Sequence, residues 1–170
     1  MNIKSGKNKS NIISGWGCNV HATVSRTIPS SIKELQNIIL KQNESTTIAR
    51  GLGRSYGDAA QLDKGLMIYL KAFKHIHLDT IQKRVKVGGG VSIDSLLKEI
   101  IPKGFFIPVS PGTKFVTIGG AIASDVHGKN HHLSGSFGNH VIEIQLIDGR
   151  GKLRRLSPDK NLNKEEINYF

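Results

Sequence analysis

The chain of 170 residues contains a single cysteine, Cys18, which excludes a framework of intramolecular disulfides and fits a reducing compartment. It also lacks an apolar run near the roughly 20 residues that a helix needs to cross a bilayer. The basic amino terminus has an apolar part too short and broken for a secretory signal. These absences predict a cytoplasmic protein, or one peripheral to the inner membrane.

Acidic and aromatic residues are also scarce. The 13 Asp and Glu residues oppose 24 Lys and Arg residues, so the formal net charge is +11. This excess suits nucleic acid, a phosphorylated cofactor or an anionic membrane surface. Only 6% of residues are aromatic, whereas sequence-independent nucleic-acid binding favours a basic stripe interleaved with aromatic side chains. Nucleic acid is therefore not the predicted partner, and association with a membrane surface stays open.

Periodicity in the first half of the chain predicts a strand–helix–strand unit with parallel strands. Apolar residues alternate over residues 20–26, which is the period of a half-buried strand. Ser30 and Ser31 offer an N-cap for a helix that starts at Ile32, and residues 46–50 form the next strand. Residues 1–13 are predicted to be a flexible terminus, and residues 14–170 one domain.

The second half predicts further short strands and one more amphipathic helix. That helix follows Ser92 as N-cap and places apolar residues at helical spacing up to Ile101. The remaining elements are strands at residues 66–70, 75–79, 85–88, 105–109, 140–147 and 152–156, and a last helix at 162–169. Fold class is therefore α+β, with two small α+β lobes.

Two glycine-rich segments stand out from this pattern. The first glycine loop, residues 49–59, reads ARGLGRSYGDA, and the second glycine stretch, residues 111–138, contains TIGGAIAS and three histidines. Glycines let backbone amides approach an anion, and Arg50, Arg54 and Ser55 would add side-chain donors to the first loop. The simpler alternative is a glycine turn between two strands. The two segments are expected to close on one ligand.

Within the second glycine stretch, residues 117–124 predict a tight helical turn whose first amides point at an anion. The alternative is close packing of a helix on a sheet through small residues. His127, His131 and His132 invite a zinc interpretation, but no cysteine lies near them, and Gly128 opposes a helix that would align them. No metal site is predicted; one histidine or Lys129 is expected to face a reactive centre.

These residues resemble a known family. The first glycine loop, the run PGT…VTIGGAIASDVHGKNHH and GSFGNH, together with SGWG at residues 14–17, are similar to the FAD-binding domain of the vanillyl-alcohol oxidase type (PCMH-type). The likeness is greatest to the decaprenylphosphoryl-ribose oxidase group and to sugar and sugar-lactone oxidases. It implies two α+β lobes with FAD in the cleft between them.

The resemblance also implies which residues form the site. His127 and Lys129 would face the isoalloxazine ring and the substrate, as the catalytic pair. The implied cofactor contacts in the first loop are Ala49, Arg50, Gly51, Leu52, Gly53, Arg54, Ser55, Tyr56, Gly57, Asp58 and Ala59. Those in the second stretch are Gly112, Thr117, Ile118, Gly119, Gly120, Ser124, Asp125, Val126 and His127.

The activity implied by the resemblance is oxidation of a sugar hydroxyl, on a polyprenyl-phosphoryl pentose as in cell wall arabinan precursor synthesis, or on a sugar lactone. Some relatives attach FAD through a histidine where this chain has Arg54, so non-covalent FAD is expected. The family continues into a substrate domain, so the FAD-binding domain is expected to be incomplete, with a second polypeptide or a missing domain completing the substrate site. The alternatives are a catalytically inactive flavin-binding or interaction module and a basic nucleic-acid-binding domain.

Overall fold

A four-stranded sheet is built from the first part of the chain in the computed structural model, which describes residues 11–41 and 46–158. Its strands are β1 (Asn11–Ser14), β2 (His21–Thr27), β3 (Thr47–Ala49) and β4 (Leu66–Ile68), in the order β1-β2-β4-β3. β1 is antiparallel to β2, whereas β2 and β3 both run parallel to β4. The predicted parallel direction is confirmed, but β4 lies between β2 and β3.

Helix α1 (Ile32–Lys41) connects β2 to β3 and begins at the predicted cap. Ser31 Oγ accepts a hydrogen bond from Glu34 N at 3.2 Å, and the Glu34 carboxylate accepts one from Ser30 N at 2.7 Å. These two bonds satisfy amides that the first turn of a helix leaves without partners. The Ser30 hydroxyl and the Ser30 amide, which both donate to the Glu34 carboxylate, hold the pKa of Glu34 below its ordinary value.

A second group of elements packs around its own core. It contains the hairpin of β5 (Ile76–Asp79) and β6 (Arg84–Val87), helix α2 (Ile93–Ile100) and the short helix α3 (Ile118–Ala123). The predicted cap of α2 is confirmed, because Ser92 Oγ accepts from Ser95 N at 3.0 Å. The buried side chains of this core are Val91, Ile93, Leu96, Ile100, Ile107, Ile118 and Ala121.

The four-stranded sheet buries a separate cluster of four residues. Its members are Ile13, Ala22, Val24 and Met67. One cluster thus lies within the sheet formed by β1 to β4, and the other beneath β5, β6 and α2. Two cores of this size agree with the predicted α+β lobes.

The last described elements are helix α4 (His131–Ser134) and the hairpin of β7 (Ile144–Ile147) and β8 (Leu153–Leu156). The predicted turn of this hairpin is confirmed, since Gly151 N donates to Asp148 O at 2.9 Å and Gly151 has a φ of +71°. β7 begins later than predicted because Gly138–His140 form a single 3-10 turn before it.

Three further expectations need correction or lie outside the structure. No strand forms at residues 105–109, where Pro108 has no amide to donate. β1 occupies residues 11–14, so the end of the segment assigned to a flexible terminus is a strand. The expected last helix at residues 162–169 lies outside the described residues.

Among the described residues the longest helix, α1, has 10 residues. None of the described helices is both long and apolar enough to span a bilayer.

Candidate functional site

The first glycine loop begins where strand β3 ends at the edge of the four-stranded sheet. Arg50 N donates to Ile68 O at 2.9 Å, which extends the pairing with β4 by one residue before the chain turns away. Gly53 has a φ of +68°, a left-handed conformation that glycine adopts at little cost. Strand pairing therefore fixes the start of the loop, and Gly53 permits its reversal.

The backbone N–H groups that follow in the loop are available to a ligand. Within residues 11–41 and 46–158, no acceptor receives a hydrogen bond from the amides of residues 51–57. Consecutive amides of this kind form concave sites for anions. An anion bound there would displace only water and would break no internal hydrogen bond. The first loop therefore has the donors that the anion-binding interpretation requires.

The turn at residues 14–17 packs against the first loop from behind. Trp16 N donates to Ser55 O at 2.7 Å. A side chain at Gly15 would overlap the carbonyl oxygen of Gly57, and one at Gly17 would approach Tyr56 O to 2.8 Å. Glycines flank the tryptophan because the two backbones touch here. Sequence reasoning missed this supporting role, although the Gly-Trp-Gly pattern was its signal.

The two arginines of the first loop, both expected to donate to an anion, also make contacts within the protein. Arg50 Nη1 donates to Ala60 O at 2.9 Å and Nη2 to Ser14 O at 2.5 Å, so its guanidinium ties the loop to β1. The Arg54 guanidinium stacks on the Trp16 ring at 4.2 Å, and its Nε donates to Phe115 O at 3.2 Å. Trp16 stays 54% exposed in this contact.

The two glycine segments touch directly at Gly51 and Thr117. A Cβ at Gly51 would lie 2.5 Å from Thr117 Oγ1, well inside contact distance. Thr117 is itself 7% exposed and caps α3. The two segments therefore lie against each other here, and glycine at position 51 is what permits this approach.

The start of α3 differs from the first loop in its hydrogen bonding. Ile118 N donates to Val91 O at 2.8 Å and Gly119 N to Gly89 O at 2.9 Å, while Gly120 N donates to Thr117 Oγ1 at 3.1 Å. Each of these three amides therefore has an acceptor within the protein. Gly119 instead allows the backbone of Gly89 to approach closely, as the packing alternative proposed.

Asp125 closes the second glycine stretch on itself. Its Oδ1 accepts from Gly138 N at 2.8 Å, and its backbone has a φ of +39°, which an aspartate adopts only in a sharp turn. The Gly138 amide and the Ser136 side chain hold the pKa of Asp125 below its ordinary value of 3.8. The carboxylate is thus committed to the protein backbone, and the turn brings Val126 and His127 back past residues 136–137.

The expected catalytic pair lies on the exposed side of this turn. The His127 ring meets the His131 ring edge-on at 5.3 Å, outside any shared helix, as expected. Lys129 lines a cavity of about 480 Å³ with residues 106–108, 110–112 and 130. Gly112 borders the same cavity, so Lys129 and one expected cofactor residue share a space.

Sequence reasoning missed the residues that hold this cavity wall. Asn130 Nδ2 donates to Pro108 O at 3.1 Å and to Ser134 Oγ at 3.0 Å, which joins the histidine segment to residues 106–108. A side chain at Gly128 would lie 2.7 Å from Ser110 O. The asparagine next to Lys129 was the available signal, since its side-chain amide can donate to two acceptors at once.

Several expected cofactor residues are exposed. Tyr56 is 76% exposed. The other exposed members are Ala49, Leu52, Gly57, Asp58, Ala59, Gly112, Ser124, Asp125 and His127. A side chain at Gly57 or Gly112 would meet nothing within 4 Å. Open space therefore borders both glycine segments.

The three histidines of the second stretch show no shared ligand geometry. Over residues 11–41 and 46–158, no group of three or more His, Cys, Asp or Glu residues is arranged to hold a metal ion. His131 Nδ1 lies 3.2 Å from Gly128 O, and His140 Nε2 lies 2.8 Å from Ser134 O. These rings contact the local backbone.

Comparison with known proteins identifies related sequences across most of this region. Residues 26–157 match the family model described as FAD binding domain. The chain is 45% identical over 148 residues to decaprenylphosphoryl-beta-D-ribose oxidase of Mycolicibacterium smegmatis, covering 85% of this chain and 32% of that protein.

More distant relatives carry related names. The chain is 24% identical over 152 residues to alditol oxidase of a Streptomyces species, covering 88% of this chain and 36% of that protein. It is 27% identical over 139 residues to L-gulonolactone oxidase of Bos taurus, covering 78% of this chain and 30% of that protein. The chain spans about a third of the length of these relatives. It belongs to the FAD binding domain family, with FAD as its cofactor.

Proposed function

We propose that this chain is the FAD-binding portion of a flavin-dependent oxidoreductase that oxidises a sugar hydroxyl. The observation that carries the proposal is the row of open amides at residues 51–57, next to the contact between Gly51 and Thr117. FAD contains a pyrophosphate, and backbone amides without internal partners bind such groups. The family assignment supports the same cofactor.

The residues present fit a cofactor of this kind. The pyrophosphate is assigned to the amides of residues 51–57, and open space beside Gly57 and Gly112 leaves room for the rest of the molecule. The attachment is non-covalent in this proposal, because Arg54 stands where some relatives carry a linking histidine. Its guanidinium is engaged with Trp16 and Phe115 O.

Lys129 and His127 are assigned to the reacting side of the site. When bound, FAD accepts a hydride from a substrate C–H bond. The Lys129 ammonium borders the cavity and can donate hydrogen bonds that orient a sugar hydroxyl or phosphate. The His127 ring is exposed beside His131 and can donate to or accept from a substrate hydroxyl.

The substrate class is inferred from the relatives, whose names specify a decaprenylphosphoryl ribose, an alditol and a lactone. We assign a polyprenyl-phosphoryl pentose or a sugar lactone. Because the chain spans about a third of these relatives, we also propose that a second polypeptide or a further segment completes the substrate site.

An absorption spectrum of the purified chain with added FAD tests the cofactor assignment. We expect flavin absorbance to remain with the chain on gel filtration and to move to the supernatant after acid precipitation. Flavin retained in the pellet would contradict non-covalent attachment. A chain that keeps no flavin contradicts the proposal for this chain.

Activity is tested by supplying the missing part. The portion of the Mycolicibacterium relative that this chain does not cover is co-expressed with it, and loss of flavin absorbance is followed on adding decaprenylphosphoryl ribose. We expect sugar-dependent reduction that His127→Ala slows more than tenfold, while the neighbouring His132→Ala leaves it unchanged. Binding of FAD without reduction by this substrate or a sugar lactone favours the inactive module.

A further inference from the structure

The β5–β6 hairpin presents two chemically distinct faces. Ile76, Leu78, Val85 and Val87 alternate along its inner face and pack against the core beneath α2. The residues between them are exposed. This outer face, called the basic face below, consists of His75, His77, Asp79, Arg84 and Lys86, with Lys83 in the adjoining turn.

The cations of the basic face have no internal counter-ions. Within the described residues, Lys83, Arg84 and Lys86 form no ion pair, whereas Lys98, Lys103 and Lys114 each pair with an acid. The one acid of the basic face, Asp79, uses its Oδ1 to accept from Ile81 N at 3.0 Å and Gln82 N at 2.9 Å. The Asp79 carboxylate therefore stabilises the turn rather than pairing with a cation of the basic face.

The turn of this hairpin displays an apolar side chain in the midst of that charge. Ile81 is 92% exposed and contributes nothing to either core. The bonds from Asp79 fix the backbone beneath it, and Lys83 adopts a φ of +52°, a conformation that glycine or asparagine would adopt more cheaply. The sequence thus keeps an isoleucine and a lysine where turn chemistry favours small or polar residues.

We propose that the β5–β6 hairpin docks this protein on a membrane surface of anionic lipids. Ile81 enters the boundary between headgroups and acyl chains, and Lys83, Arg84 and Lys86 lie at the level of the lipid phosphates. An exposed apolar tip flanked by cations is the arrangement that binds such interfaces, through apolar burial and electrostatic attraction together. The net charge of +11 acts in the same direction at longer range.

The chemistry of the hairpin favours a lipid surface over a nucleic acid. Residues 75–87 contain no Phe, Tyr or Trp, the side chains on which single-stranded bases most often stack. An isolated aliphatic tip has no role against a phosphate backbone, whereas it gains free energy in the membrane interface. This inference does not depend on the oxidoreductase activity proposed above.

The first test measures binding of the full chain to vesicles of phosphatidylglycerol and of phosphatidylcholine by co-sedimentation. We expect binding to the anionic vesicles only. Replacing Lys83, Arg84 and Lys86 together by Gln should weaken it about tenfold or more. The matched control, Lys33→Gln with Lys41→Gln and Lys152→Gln, removes the same charge from other exposed positions and should weaken binding much less. Equal losses would overturn the assignment to this hairpin.

The second test measures insertion of the tip. In a Cys18→Ser background, an environment-sensitive dye is attached through Ile81→Cys or, as control, through Ile12→Cys, whose native side chain is 74% exposed on β1. We expect a blue shift with anionic vesicles at position 81 alone. Binding without that shift, or tighter binding to single-stranded RNA than to vesicles, would overturn the proposal. FAD titration of each variant is the control for folding: unchanged FAD affinity shows that the substitution has not damaged the cofactor site.

Discussion

Residues 51–57 and the start of α3 are both rich in glycine, and they lie against each other at Gly51 and Thr117. In the first segment the amides have no acceptor within residues 11–41 and 46–158, whereas those of Ile118, Gly119 and Gly120 all donate within the protein. Glycine accompanies open backbone amides in one segment and permits close packing in the other. Composition alone does not distinguish these two uses of glycine. Identifying the acceptor of each backbone N–H group distinguishes them.

The largest effect is expected from Gly51→Ala, which breaks the contact between the segments. The added Cβ would lie 2.5 Å from Thr117 Oγ1, so the Thr117 side chain must leave its capping position or the two segments must move apart. We expect a loss of about 1–3 kcal/mol in the free energy of unfolding, as overpacking usually causes, and a fall of at least about tenfold in FAD affinity, since displaced donors lose their geometry. Chemical denaturation and fluorescence titration measure the two.

Gly112→Ala is the matched control for that substitution. Its Cβ would meet nothing within 4 Å of protein, so we expect the stability of the unliganded chain to be unchanged. A stability loss equal to that of Gly51→Ala would contradict the steric explanation. Adding Thr117→Ala to Gly51→Ala removes the obstructing oxygen and should restore part of the FAD affinity.

Thr117→Ala alone sharpens the comparison, because it removes a packing contact at α3 without touching the open amides. The Gly120 amide loses its acceptor, and N-cap losses typically cost about 1 kcal/mol of folding stability. We expect FAD affinity to change less than threefold. Thermal unfolding should show Thr117→Ser close to the wild type, and a large loss of FAD affinity in both variants would place the ligand at α3 instead.

Arg54→Leu tests the side chain that joins the two segments. It removes the stacking on Trp16 and the bond to Phe115 O, and contacts of this kind contribute about 0.5–1 kcal/mol at exposed sites. We expect a similar loss of stability and a modest loss of FAD affinity. Trp16→Leu should remove only the stacking contact, so it should lose less stability and less FAD affinity than Arg54→Leu. A larger loss in Trp16→Leu would contradict the assignment of two separate contacts to Arg54.

The smallest effect is a pH dependence carried by Asp125. Its pKa is lowered on folding, so its contribution to stability is complete above the ordinary value of 3.8 and is lost as the pH falls through the lowered value. Asp125→Asn should therefore be less stable than the wild type at neutral pH, with the difference shrinking in acid. Denaturation midpoints from neutral pH downward measure it, and a difference that grows in acid would contradict the sign.

Local patterns predicted much of this fold. Alternation marked β2, and the serine caps marked α1 and α2, because those signals lie within a few residues of each element. The position of β4 between β2 and β3 could not be read the same way. Strand order depends on pairing between segments far apart in the chain, and no single strand encodes its neighbour.

The same limit applies to the candidate site, where local patterns were predictable and long-range hydrogen bonds were not. The glycine pattern identified both segments, but the fate of the α3 amides depends on carbonyl oxygens of Gly89 and Val91, some thirty residues earlier. Likewise, nothing near Arg50 indicated that its guanidinium would bond Ser14 O and Ala60 O. Long-range acceptors decide which donors remain for a ligand, and a sequence pattern does not contain them.

The most direct measurement is a ¹H–¹⁵N correlation spectrum of the labelled chain during titration with FAD. We expect the largest shifts of amide resonances at residues 51–57, where the donors are open. Resonances of Ile118, Gly119 and Gly120 should change little, since these amides keep their internal acceptors. Large shifts at those three amides with small shifts at residues 51–57 would contradict the assignment of the pyrophosphate to the first glycine loop.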